Sequence, residues 1–404
     1  MARAVQINPR MLAWARETAG LSPEEAAARL GLKTTARATA AQKLLEAESG
    51  ERSVGRGVLQ KASAAYHRPL ITFYLPEPPV RGERGQDFRT VMAARSRRDD
   101  AMLDALVRDV RARQQLVREL LIDDEDGRYL AFVGSSRVSD VASAVAASIR
   151  SVLGMNADDQ RRARDPSALF RILRAAAESA GIFVLLLGDL GSHHSDIGEE
   201  VFRGFALADT IAPFVVINDN DAVTARSFSL LHELAHIWIG ASGVSGPLRG
   251  VPENIAERFC NEVAGEFLLP PEALERLSAA SGSDVDQALV LTDEISKIWN
   301  VSQGVVAYRF LANGWISNEV ASQLFRIFAE RWRLERQQVS DSREPDDTGP
   351  GFYIVQRSRL GAGLLSLVRR ALQEDVLTHT KAARILGVAP TRVDQLLQER
   401  QRAA

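Results

Sequence analysis

The stretch "SFSLLHELAHIWIG", Ser227 to Gly240, decides how the chain is read. At 3.6 residues per turn, His232 and His236 fall on one face of a helix, about one turn apart, so both imidazoles can reach a single ion. Glu233 is offset by about 100° and flanks the same point. Two histidines alone leave two readings open: a metal site, or a pair of rings satisfied by other contacts. A catalytic zinc keeps three protein ligands and leaves its fourth position to water, so a third ligand is required from a following element.

"ENIAERFCNEVAGEFLLPPEAL", beginning at Glu253, supplies candidates. It reads as a helix with Ile255, Phe259, Val263 and Phe267 in an i,i+4 apolar stripe and with acids at 253, 257, 262 and 266. Only one or two of those acids can face the first helix, and spacing does not choose among them. Upstream, helix-like runs from Ser139 to Leu153 and from Pro166 to Ala180 precede two continuous apolar segments, "IFVLLL" and "FVVIN". These segments read as strands of a small sheet packed on helices, an α+β core.

Taken together, "RSFSLLHELAH" followed by Glu257, Asn261, Ala264 and "FLLP" resembles the ImmA/IrrE family of metallopeptidases, which pairs RxFxxxHExxH with ExxxNxxAxxxLLP. The approach "VFRGFALADTIAPFVVIND" is similar to the strand that precedes the metal helix in that family. The resemblance implies that His232, His236 and Glu257 hold one Zn²⁺ per chain and that Glu233 is the general base. Two neutral imidazoles and one carboxylate would leave the ion a net charge of about +1, enough to draw a water pKa toward ~7. Manganese or iron also suit such a ligand set. Relatives of the family cleave transcriptional repressors, so the implied activity is that of a zinc endopeptidase acting on a repressor-type protein. His193 and His194, in "GSHHSDIG", are adjacent residues of a Gly/Ser-rich loop and are expected to be exposed and to take no part. Cys260 is expected to be a small buried helix residue without a role.

Outward from this core the chain is helical. "NPRMLAWARETAGLSPEEAAARLGL" holds two short helix patterns broken at Gly20-Leu21, and Ser22, Pro23 and Glu25 form a capping box with proline at N1. Leu12, Ala15, Ala26 and Leu30 give apolar faces that can cross steeply, as in a helix-turn-helix unit. With "LLEAESGER" in the place of a Trp-Glu-x-Gly turn, this head resembles an Xre-type DNA-binding domain. Thr34, Thr35, Arg37, Thr39, Gln42 and Lys43 are its candidate DNA-facing residues. Its tail, "HRPLITFYLPEPP", reads as an apolar strand or extended end at a proline-rich boundary. The charge distribution agrees: residues 1–100 carry 17 Lys and Arg against 11 Asp and Glu, and the other 304 carry 33 against 41.

An amphipathic helix through Leu103, Leu106, Val107, Val110, Val117, Leu120 and Leu121 follows. Beyond the core, "DEISKIWNVSQGVVAYRFLANGWIS" and "LTHTKAARILGVAPTRVDQLLQE" repeat the helix, turn, helix pattern, the latter with Ala382, Ala383, Leu386, Val393 and Leu397 as its core. The fold class is thus mainly α with a small α+β HExxH core. Its expected parts are a helix-turn-helix domain at 1–80, a linker and amphipathic helix at 81–127, the peptidase-like domain at 128–330, a linker at 331–352, and a small helical domain at 353–404.

The 404 residues are 46% hydrophobic, with one cysteine and no apolar run near the roughly 20 residues of a membrane helix. A disulfide framework and a membrane span are excluded, and a cytoplasmic protein is expected. Its partners would be a protein substrate, DNA and, as a homodimer, a second copy. The three-part layout also fits another class, an antitoxin and autorepressor that binds DNA and a cognate toxin without proteolysis. The two readings part at Glu233, which a purely structural metal site does not need.

Overall fold

The computed structural model describes residues 7–79, 86–87, 96–123, 127–191, 195–246, 254–274, 284–341 and 351–398. They fall into two compact units, one of Met1–Arg84 with Met92–Asp109 and one of Gly85–Val91 with Val110–Ala404. The chain is mostly helical with one small sheet, as its periodicities predict.

The first unit holds α1 (Pro9–Thr18), α2 (Pro23–Leu30), α3 (Ala40–Ser49), α4 (Arg56–Ala65) and the start of a long helix, α5 (Arg97–Asp123). The predicted capping box is present: the Ser22 hydroxyl accepts from the Glu25 amide, and the Glu25 carboxylate accepts from the Ser22 amide. Thr39 and Gln42 repeat the arrangement at α3. Leu12, Ala15, Ala26 and Leu30 are buried together with Leu44, Leu59 and Phe73. Arg16 of α1 reaches Glu48 of α3 through two nitrogens, at 2.7 and 3.0 Å, with both side chains largely buried. Removing one partner of a pair so placed costs about 3–5 kcal/mol, because the other charge stays buried.

The apolar "LITFY" is not a strand: Leu70–Tyr74 makes a 3₁₀ turn. Pro69 sets its entry, Phe73 is fully buried, and Asn8 donates its amide to Phe73 O and its side chain to Leu75 O. No neighbouring strand is available there, so the apolar side chains are buried by docking one turn on the helices.

The second unit continues with α6 (Ala142–Leu153), α7 (Ala157–Arg161), α8 (Pro166–Ser179), β2 (Phe183–Leu186), β3 (Gly204–Leu207), β4 (Phe214–Ile217), α9 (Arg226–Trp238), β5 (Gly243–Ser245), α10 (Ile255–Leu268), α11 (Pro271–Leu274), α12 (Val285–Trp299), α13 (Gln303–Ala312), α14 (Asn318–Asp341), α15 (Phe352–Leu360), α16 (Ala362–Gln373), α17 (His379–Leu386) and α18 (Val393–Leu397). A two-residue β1 (Gln86–Asp87) completes a sheet of order β1-β5-β3-β4-β2. β3 runs antiparallel to both β4 and β5, whereas β2 is parallel to β4 and β1 is parallel to β5. All four residues of β2, β3 and β4 are buried, which explains their continuous apolar runs.

The outer edge of β2 is closed by the carboxy-terminal helices. Arg174 of α8 donates to Val184 O on that edge and to Arg359 O at the end of α15. Arg359 in turn pairs with Asp189 and Asp219, each at 2.7 Å. The chain turns from α15 to α16 at Gly361, whose φ of +80° and contact with Glu178 leave no room for a Cβ.

Two expectations are corrected. α14 runs on to Asp341, through 331–341, where a linker was predicted; "RWRLERQQVSD" holds no Gly or Pro and consists largely of good helix formers. Ile255 is not part of the buried stripe of α10 but is 64% exposed, because the stripe starts only where the helix meets α9. The remaining positions, Phe259, Val263 and Phe267, are buried. No helix of the described residues is long and apolar enough to cross a membrane.

Candidate metal centre

α9 is the central helix of its unit, and every residue from Ser227 to Trp238 is buried. Leu230, Leu231, Leu234, Ile237 and Trp238 are fully enclosed, each contributing on the order of 1.5–3 kcal/mol relative to exposure. Trp238 stacks on Phe132 with ring centres 4.6 Å apart. Arg226, at the start of the helix, donates to Asp219 O and Asp221 O and so ties α9 to the end of β4.

Within that packing, His232, His236 and Glu257 converge, and among the described residues this is the group whose donor atoms could hold one ion. His236 Nε2 lies 3.2 Å from His232 Nε2 and 3.0 Å from Glu257 Oε1, and His232 Nε2 lies 3.4 Å from Glu257 Oε2. Three donors bonded tetrahedrally at ~2.0 Å would stand ~3.3 Å apart. The observed triangle has edges of that size, so these residues fit a zinc-sized ion.

The nearby groups fit as well. Asn261 Oδ1 is 2.8 Å from His232 Nδ1 and can only accept, so Nδ1 carries the proton and Nε2 presents its lone pair. Asn254 caps α10, accepting from the Glu257 amide, and places that carboxylate in the first turn of the helix, where the helix dipole favours negative charge. Burial opposes ionisation of Glu257, but the two histidines outweigh it and hold its carboxyl well below the usual range. Asn261→Ala is therefore expected to weaken metal affinity ~10–100-fold without unfolding the chain, measured by competition with a chromogenic chelator.

Glu233 stands beside this triangle and is not part of it. It is 1% exposed, and its Oε2 has no hydrogen-bond partner among the described residues. Burial, reinforced by the Glu257 charge and opposed by His232, pushes its carboxyl up to about 8. Its other oxygen rests over Gly204 of β3, where a Cβ would come within 2.7 Å of it. Gly204 pairs in register with Ser245 of β5, and the Ser245 hydroxyl lies 3.1 Å from His232 Nε2 and 3.5 Å from Glu257 Oε1. The missing side chain of Gly204 and the hydroxyl of Ser245 thus sit side by side beneath the acid. Sequence reading missed both, since only the β3–β5 register brings them to the site.

The other candidates fall elsewhere. Of the remaining acids of α10, Glu266 pairs with Arg309 of α13 at 2.8 Å. Cys260 is fully buried, with burial raising its thiol far above the ordinary range. His193 and His194 lie outside the described residues. The six head residues belong to the first unit. Thr34 accepts from the Ala40 amide, Thr35 donates to Ala38 O, Thr39 and Gln42 cap α3, and Lys43 donates to Lys33 O. Five of the six thus organise the turn between α2 and α3. Arg37 is exposed on that turn.

Comparison with known proteins matches residues 179–311 to the model of the Peptidase M78 family, described as the IrrE N-terminal-like domain. The matched segment runs from the end of α8 into α13 and contains all three converging side chains, Glu233, Gly204 and Ser245. It supports kinship with the ImmA/IrrE peptidases and a metallopeptidase-type domain over that third of the chain. No curated protein and no solved structure matches the chain.

Proposed function

We propose that the second unit is a zinc-dependent endopeptidase and that the first unit brings it to DNA, so that the chain regulates transcription by cutting a repressor-type protein. The observation that carries this reading is Glu233, a buried carboxyl beside three convergent ligands with one oxygen unengaged. A structural site would have no use for it.

His232 Nε2, His236 Nε2 and a Glu257 oxygen would hold the ion, and when bound it would polarise a scissile carbonyl and acidify water next to it. Glu233, raised toward neutrality by burial, is suited to take a proton from the attacking water at Oε2 and return it to the leaving amine. Asn261 keeps His232 in the tautomer that can bind, and Gly204 leaves Glu233 room to swing its carboxylate toward substrate. The direct test is metal content of the purified chain together with its incubation against the repressor or toxin encoded beside it. A metal-loaded chain that leaves both intact would overturn the reading.

For the head, the exposed Arg37 and the basic balance of residues 1–100 support phosphate contact. A fragment of residues 1–80 is expected to bind its own promoter with micromolar or tighter affinity that falls steeply with salt, and Arg37→Ala is expected to weaken it. Salt-insensitive binding, or none at ~50 mM salt, would make the head a protein-docking module.

A further inference from the structure

β5 has two flanks, one paired with β3 and the other taken by β1. β1 is only Gln86–Asp87, in parallel register Gln86↔Gly243 and Asp87↔Val244. The strand it borders ends at Ser245, whose hydroxyl touches His232 and lies beside the register partner of Glu233's seat, Gly204. A segment from far upstream in the chain therefore lies along the strand that lines the metal ligands.

A strand edge offers backbone N–H and C=O groups that any extended chain can satisfy, whatever its side chains. A polypeptide must be extended for its peptide bond to reach a buried carboxyl such as Glu233, and the flank of β5 is the open ladder nearest to it. A two-residue strand makes few ladder bonds, so a longer extended chain could replace it.

We propose that this flank of β5 is a docking edge for an extended polypeptide substrate, and that Gln86–Asp87 is the resident occupant a substrate strand must displace. The proposal rests on the peptidase reading for the identity of the incoming strand, but the edge and its occupant can be tested without any cleavage.

The test uses the full chain. In Q86P/D87P two backbone donors are lost and the ladder cannot form, whereas Q86A/D87A keeps the backbone. The amides of Gly243–Ser245 should exchange with solvent at least ~10-fold faster in the proline variant and at the native rate in the alanine variant. A labelled peptide of residues 82–92 should bind the proline variant, restore that protection, and bind the native chain at least ~10-fold more weakly. Unchanged exchange in the proline variant, faster exchange in the alanine variant, or no peptide binding to the proline variant would overturn the proposal. So would accumulation of a metal-loaded native chain cut within this segment, since the occupant would then be a substrate and not a block. An unaltered melting temperature shows that the proline variant remains folded; should it fail to fold, single Gln86→Pro in the exchange measurement takes its place. If the exchange and peptide results hold while no protein is ever cleaved, it is the peptidase reading that fails and the docking edge that stands.

Discussion

Glu233→Gln is expected to keep its metal and to lose peptide cleavage by ~10²–10⁴-fold or more. Glutamine has the size of the acid and can rest over Gly204 in the same way, so neither the packing of α9 nor the triangle of His232, His236 and Glu257 should change. What it lacks is the basic oxygen. Cleavage of the cognate repressor in vitro and regulation in the cell, compared between native and variant chains, separate the two classes of function. DNA and partner binding should survive in both. If the variant regulates as well as the native chain while neither cuts anything, the antitoxin and autorepressor reading replaces the peptidase.

His232→Ala and His236→Ala carry the other large effect, the loss of stoichiometric metal. Each removes one corner of a triangle whose edges measure 3.0–3.4 Å, and the remaining two donors cannot make a closed site. The double variant should retain roughly a tenth of an ion per chain or less by elemental analysis, while His193→Ala and His194→Ala should retain it all. Full zinc in the double variant would mean that the ion is held elsewhere. The holes left by the imidazoles lie in a packed interior, so a lower melting temperature is expected too, and the metal measurement should be made where the variant is still folded.

The histidine pair and Glu233 were legible because a helix repeats locally: four positions apart is one turn, whatever surrounds it. The capping boxes at Ser22 and Thr39 were legible for the same reason, since each lies within four residues. Glu257 was not fixed by spacing, which left four acids on α10; it came through resemblance, and the structure gives the physical reason, namely that Asn254 and Asn261 turn one face of that helix to His232 while Glu266 is engaged by Arg309. Ser245 and Gly204 were illegible. Their importance comes from strand register between segments separated by the whole of β4 and α9, and no local pattern encodes it. The 3₁₀ turn at Leu70–Tyr74 was misread for a related reason, because an apolar run shows that side chains will be buried and not which partner will bury them.

The two edges of the sheet differ in how firmly they are shut, and this bears on storage and handling of the protein. Arg174, Arg359 and the helices behind them seal β2 with charged anchors that a passing chain cannot easily replace. β5 is covered by two residues. An open ladder also welcomes the same ladder of another molecule, so concentrated protein whose β1 has come away would grow edge to edge, and fibrous precipitate would begin at the strand beside the metal and not at the far side of the sheet.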